Sequence, residues 1–256
     1  MYDETPEERP IAEVQWQTRV DLAAAHRLAA MEGFSEGIFN HLTCRVPGHD
    51  DRYYQMPFGL HWSEVTAGCF MEIGYDGNQH AGTGIIEQSC FLIHGPMHKP
   101  ASQAGAVFHT HMPFASALTR LENPEILPIG QMELLIANLT AYDYNYDGPA
   151  FSDSEGERLT AALGDKKILM MSNHGVVTAA PTVAEAYNLL YYLERVAQVQ
   201  VYAMWTGRPL KTLPQTIIDQ SKARLGSRRY GDKDHSYWHF EAMKRVLDRK
   251  EPDYKT

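Results

Sequence analysis

The apolar positions along the chain change period several times, and each change marks an element. Over residues 12–31, Val14, Ala24, Leu28 and Met31 fall at helical spacing, and Gly33 stops the run. Segments 38–46, 52–56 and 69–74 are short and rich in aromatic or branched residues, which predicts strands, with a turn at Gly77 and Asn78. Residues 87–98 return to a helical pattern that Gly95 and Pro96 should kink or end early. Residues 106–111 predict a strand and 167–172 a buried one. Ser154 with Glu157 spells a capping box that opens a short helix, closed by Gly164. Thr182 with Glu185 opens a long amphipathic helix that runs to about Trp205 and stops at Gly207. Weaker helical patterns follow over about 214–225 and 235–249.

Strands therefore lie between helices, but without strict alternation. That favours an α/β fold in which a sheet is layered with helices over a regular doubly wound one. No repeat, low-complexity tract or Pro/Gly/Ser-rich linker divides the 256 residues, so one domain is the simplest organisation. Residues 1–11 are polar, with two prolines, and read as a loose N-terminal arm.

Composition narrows the function. The formal charge is -9, from 32 acidic and 23 basic residues, which disfavours nucleic acid and anionic membranes as partners. No apolar run approaches the roughly 20 residues a spanning helix needs, and the polar start lacks the apolar core of a secretory signal. Cys44, Cys69 and Cys90 are odd in number and form no Cys-x-x-Cys pair, so reduced thiols in a cytoplasmic protein are expected.

Among 12 histidines, spacing singles out three. Side chains two apart on a strand share a face, so His109 and His111 project together, with Phe108 and Thr110 on the other side. Two neutral imidazoles so placed reach a common cation. His174 follows a buried strand in Ser172-Asn173-His174-Gly175, where glycine permits close backbone approach. Strand ends are where α/β proteins hold ligands, and three histidines leave positions open for water or substrate. A lone buried histidine is more often a hydrogen-bonded core residue; the combination argues for a metal site.

These residues sit within a longer pattern. Phe34 through Arg45, Pro57 through Thr66, Phe91-Leu92-Ile93-His94, Val107 through His111, Gly156 through Leu159, Asn173 through Val177 and Ala184 through Arg195 together resemble the class II aldolase/adducin family over about 12–210. The resemblance implies a three-layer α/β/α domain around a mostly antiparallel sheet, with 211–256 as a helical extension of it. It implies a homotetramer with sites at subunit interfaces, and one divalent ion (Zn, Mn or Fe) per chain on His109, His111 and His174. In the sugar-phosphate aldolases of the family that ion polarises a carbonyl or enediolate oxygen.

The departures from the family are informative. Where those aldolases carry an acid/base glutamate, four residues before His94, this chain has Cys90; Glu87, nearly one helical turn earlier, is the candidate replacement. The phosphate-cradling stretches read Asn40-His41 and Pro57-Phe58-Gly59, with few hydroxyls and no lysine. Asn40, His41, Gly59 and His61 accordingly suit a small carboxylic or aromatic acid better than a sugar phosphate.

Other residues have plainer readings. His94 is a candidate catalytic group, but His94 and His98 at i, i+4 also fit a core residue and a helix end. Tyr142, Tyr144 and Tyr146 alternate as in a half-exposed strand, and the resemblance makes one of them, Tyr142 first, a candidate proton donor. Cys90 reads as a small buried apolar residue, Tyr191 to Arg195 as packing, and the His235–His239 cluster as a surface feature without metal spacing. The expected function is a divalent-metal lyase that breaks a C–C bond next to a carbonyl or carboxylate, by decarboxylation or aldol cleavage. Two rivals are a non-haem Fe(II) oxygenase on the same scaffold and a non-catalytic adducin-like binding module.

Overall fold

The computed structural model describes residues 9–99, 104–146, 148, 153–225 and 229–256. Its centre is an eight-stranded sheet. The strands are β1 (His41–Arg45), β2 (Arg52–Gln55), β3 (Met71–Gly74), β4 (Gln79–Ala81), β5 (Ala106–Thr110), β6 (Thr140–Asp143), β7 (Ile168–Met171) and β8 (Val176–Ala180), in the order β4-β3-β2-β1-β5-β8-β7-β6. Every pairing is antiparallel except β6 with β7. The helices are α1 (Ile11–Met31), α2 (Gln88–His98), α3 (Pro113–Leu118), α4 (Gln131–Ala137), α5 (Asp153–Leu163), α6 (Val183–Trp205), α7 (Gln215–Leu225) and α8 (His235–Lys250).

Strand alternation sorts the central side chains onto two faces. Phe108, Ile168, Met170 and Val176 pack with Leu28, Leu190 and Leu193 of α1 and α6. Val107, Leu169, Met171 and Val177 pack with Ile93 and Met97 of α2 and Leu159 and Leu163 of α5. The result is the expected three-layer α/β/α arrangement, with each fully buried Leu, Ile or Met worth roughly 1.5–3 kcal/mol of transfer free energy.

Residues beyond 210 close over the first helix. Arg27 of α1 is buried; its guanidinium donates to Val65 O at 2.9 Å, Glu251 at 3.0 Å and Asp253 at 2.9 Å. The arm expected over 1–11 falls outside the described residues for 1–8, and α1 begins at Ile11. Among the described residues no helix is long and apolar enough to cross a membrane.

Four expectations are corrected. The first strand starts at His41, because Gly37 at φ 61° and Asn40 at φ 73° take left-handed backbone that no strand accommodates. Helix α2 runs through Pro96 to His98. There Gly156 of α5 lies so close that a Cβ would sit 1.9 Å from Leu92 O, the carbonyl a proline cannot bond, so helix packing covers the gap. Ser154 lies inside the first turn of α5 and does not precede it. Strand β6 ends at Asp143, before Tyr144 and Tyr146. Thr182 does cap α6 by accepting from Glu185 N at 3.2 Å, while the Glu185 carboxylate pairs with Lys167.

Candidate metal centre

The turn between β7 and β8 carries His174, and β5 carries His109, with His111 one residue past its end. The turn can press onto β5 because residue 175 is glycine: a Cβ there would meet His111 Cδ2 and Thr110 O, each at 2.5 Å. Asn173 beside it takes φ 57°, a left-handed conformation that Asn tolerates. Ring centroids of His109 and His174 are 4.8 Å apart, and each lies 4.9 Å from His111. The three ligand atoms all lie within 4.8 Å of one another.

Hydrogen bonds fix which nitrogen each ring presents. His109 Nδ1 donates to Val176 O at 3.0 Å, and His111 Nδ1 donates to the Glu36 carboxylate in a very short contact. Both rings therefore carry their lone pair on Nε2, and His111 Nε2 is buried without a hydrogen-bond partner. Burial holds all three imidazoles below the usual histidine range, His174 to about 4, with the neighbouring rings adding to the shift at His109 and His174. Neutral rings, aimed Nε2 atoms and Nδ1 atoms held by a carboxylate or carbonyl are the donor set a divalent cation takes up.

The surrounding backbone is tied as well. Asn40 Oδ1 accepts from His111 N at 3.0 Å, and Arg120 donates to His174 O at 2.8 Å. Helix α3, which starts just after His111, lacks a side-chain cap of its own. The buried Glu194 carboxylate of α6 accepts from Phe114 N and Ala115 N, each at 2.8 Å.

Behind the triad lies a second histidine group. His41 faces His109 in the β1–β5 register, their rings 6.0 Å apart, and its Nε2 donates to Glu87 at 2.9 Å. Glu87 caps α2, accepting also from Cys90 N at 2.5 Å and Ser89 Oγ at 2.8 Å. Burial alone would raise the Glu87 carboxyl, but the bond and charge of His41 and the bonds from Cys90 N and Ser89 outweigh it and bring it to about 2. Thr43 Oγ1 lies 2.7 Å from both His94 Nδ1 and His98 Nε2. Both rings are fully buried, which pushes His98 to about 3 and His94 well below the usual range. His41, Cys90 and His94 also have ligand atoms within 4.8 Å of one another.

The remaining expected residues are dispersed. His61 caps its own short turn, accepting from Ser63 N at 3.2 Å, and Gly59 is an exposed turn residue at φ 101°. The Tyr142 hydroxyl accepts from Ile126 N at 2.9 Å, and burial raises its pKa to about 12. The tyrosine set beside the triad is the exposed Tyr146, whose ring lies 6.2 Å from that of His174. His239 and His235 bond opposite ends of the buried Asn188 amide at 2.9 and 3.3 Å, so the C-terminal cluster packs on α6. Tyr146 is the last of the three alternating tyrosines, whereas Glu36 has no periodic signal of its own and stands only inside the Phe34–Arg45 stretch.

Comparison with known proteins is consistent with this architecture. The pattern of the family described as Class II Aldolase and Adducin N-terminal domain matches residues 20–201. A Caulobacter vibrioides protein bearing the aldolase class 2 name is 34% identical over 84% of each chain. The crystal structure of an aldolase II superfamily protein from Pseudomonas syringae superposes with a TM-score of 0.87 at 33% identity, over 94% of this chain and 96% of that one. L-fuculose 1-phosphate aldolase from Glaciozyma antarctica superposes with a TM-score of 0.85 over 99% and 97% of the two chains, at 22% identity, a likeness of fold.

Proposed function

The chain belongs to the class II aldolase and adducin family, and from that premise we propose that it is a divalent-metal-dependent lyase that breaks a C–C bond next to a carbonyl or carboxylate. The observation that carries this reading is the inward set of neutral imidazole nitrogens on His109, His111 and His174, two of them oriented from behind through Nδ1. The ion, when bound, supplies Lewis-acid stabilisation of negative charge on a carbonyl or enediolate oxygen. Glu36 and Val176 O hold the tautomers that let it bind. We assign the proton-moving role to the Tyr146 hydroxyl, which lies at the solvent side of His174. The Glu87 oxygens and the Tyr142 hydroxyl are already engaged in interior bonds, and His94 is enclosed.

The side chains around His41 support a substrate class. Ile38, His41, Leu42, Met56, Phe58 and Glu87 surround a gap the size of about one water with Asn40 and Gln55, and none of these is Lys or Arg. The Glu87 carboxylate repels a phosphate dianion more strongly than a carboxylate monoanion, and Asn40 spends its oxygen on His111 N. An unphosphorylated hydroxy or oxo acid therefore fits better than a sugar phosphate, and decarboxylation better than sugar-phosphate cleavage. The assembly we expect is a homotetramer.

The test begins with metal analysis of anaerobically purified protein beside His174→Ala, followed by assays for CO2 or aldehyde release from hydroxy and oxo acids. About one triad ion lost in the variant, together with metal-dependent release, is the expected result. Turnover by metal-stripped protein would end the lyase mechanism. Iron with substrate-dependent oxygen uptake would move the reading to an oxygenase, and failure to take up any ion would move it to a binding module.

A further inference from the structure

The group behind the triad can be resolved into tautomers from its hydrogen bonds. His98 Nδ1 lies 3.4 Å from Ala104 O, a pure acceptor, so that nitrogen carries the proton and His98 Nε2 accepts. The Thr43 hydroxyl lies 2.7 Å from His98 Nε2 and 3.2 Å from Val107 O, and gives its hydrogen to His98 Nε2, the nearer acceptor. A hydroxyl has one hydrogen, so the contact between Thr43 Oγ1 and His94 Nδ1 at 2.7 Å is satisfied only if His94 Nδ1 is the donor. His94 Nε2 is left with its lone pair, buried and without a hydrogen-bond partner.

His41 reaches the same condition from the opposite side. Its Nε2 gives its proton to Glu87 at 2.9 Å, and its Nδ1 is buried without a partner. His41, Cys90 and His94 each place one ligand atom within 4.8 Å of the others, so the two unpartnered lone pairs belong to residues gathered around one thiol. One thiol hydrogen can serve only one of the two nitrogens. The other remains a desolvated acceptor, a condition that native interiors disfavour.

We propose that His41 Nδ1, His94 Nε2 and Cys90 Sγ form a second cation site, distinct from the His109–His111–His174 triad, that takes zinc(II) or another borderline-soft d-block ion. A thiolate with two imidazoles is the donor set such ions select over magnesium or calcium. On binding, the Cys90 S–H bond breaks, its proton leaves to solvent and the sulfur lone pair binds the ion. The charge is then one dication against one thiolate, with Glu87 on the outer nitrogen of His41 supplying the remaining negative charge. The three ligands leave a fourth position, and His41 and Glu87 also line a gap the size of about one water, which suits a water as the fourth ligand. The proposal stands independently of the lyase reading, because it uses no triad residue.

Cobalt(II) separates the two sites, since only the second one has a sulfur ligand. Metal-stripped protein titrated with cobalt(II) should bind about two equivalents and develop a thiolate-to-cobalt charge-transfer band in the near ultraviolet. Cys90→Ser and His94→Gln should each lose the band and one equivalent. His174→Ala should lose the other equivalent and keep the band. Should these variants fail to fold, X-ray absorption of the cobalt-loaded wild type decides: a sulfur scatterer upholds the site and its absence overturns it. Wild type that binds one equivalent without the band overturns the proposal, as does a band that survives Cys90→Ser. One equivalent with the band, indifferent to His174→Ala, would uphold this site and sink the triad reading.

Discussion

The two histidine groups share one face of the sheet, yet they are held in opposite ways. The triad is clamped from outside by backbone and by a surface carboxylate: Val176 O fixes His109, Asn40 and Glu36 both fix His111, and Gly175 lets the β7–β8 turn close in. The His41–His94–His98 group is organised from within, around a single threonine hydroxyl and the cap of α2. The difference teaches where each is vulnerable. An outer clamp can lose one tie and keep its geometry, whereas an interior hub with one hydrogen to distribute fails as a unit.

The largest effect expected is at the triad itself. His109→Ala removes a ligand and should lower triad metal affinity by more than the roughly 10- to 100-fold typical of losing an outer partner, with turnover going too. Inductively coupled plasma analysis after dialysis reads this, and full retention of the triad ion would dissolve the contrast. Glu36→Gln removes only the charged acceptor at His111 Nδ1 and should cost triad affinity roughly 10- to 100-fold while leaving the fold intact. Competitive chelator titration measures it; unchanged affinity would mean that the carboxylate is incidental.

The interior hub should fail differently. Thr43→Val leaves the His94 Nδ1 proton and the His98 Nε2 lone pair buried without partners and should lower unfolding free energy by roughly 1–3 kcal/mol, with triad stoichiometry unchanged. Denaturant unfolding checks this, and a loss of the triad ion instead would show that the two groups are one. The smallest effect is acid sensitivity. Burial lowers His98 to about 3 and His26 to about 4 from the ordinary histidine value of about 6.5, so the unfolded chain binds more protons between those limits. Their contribution is complete above about 6.5 and is lost progressively as pH falls toward 4 and then 3. His26→Phe, in the α1 core against Trp62 and Phe70, should flatten the stability slope between pH 7 and 5; an unchanged slope would exclude His26 as a contributor.

Period and punctuation made most of the frame legible in the sequence. Alternation on β5 placed His109 and His111 on one face, and the turn after β7 placed His174 at a strand end. Other features were out of reach for physical reasons. The Glu36 tie and the Glu194 cap join residues far apart in sequence, which no local period records. The short helices α3 and α4 are set by packing more than by propensity. Cys90 looked like an inert apolar residue because its company, His41 and His94, comes partly from another element. Pro96 does not end α2 because α5 covers the exposed carbonyl, a long-range contact absent from the local pattern.

The Glu194 carboxylate makes α6 a tie-rod for the metal centre. Only Met112 and Pro113 separate His111 from the amides that Glu194 grips, so a shift of the long helix along its axis is transmitted to a ligand with almost no slack in between. Across that linkage the exposed Val199, Tyr202 and Trp205 at the far end of α6 sit on the same rigid member as the grip. Hydrogen exchange at Phe114 and Ala115 would gauge the tension in it: faster exchange in Glu194→Gln, accompanied by weaker metal binding, is the mechanical signature, and faster exchange with unaltered binding would show the rod to be slack.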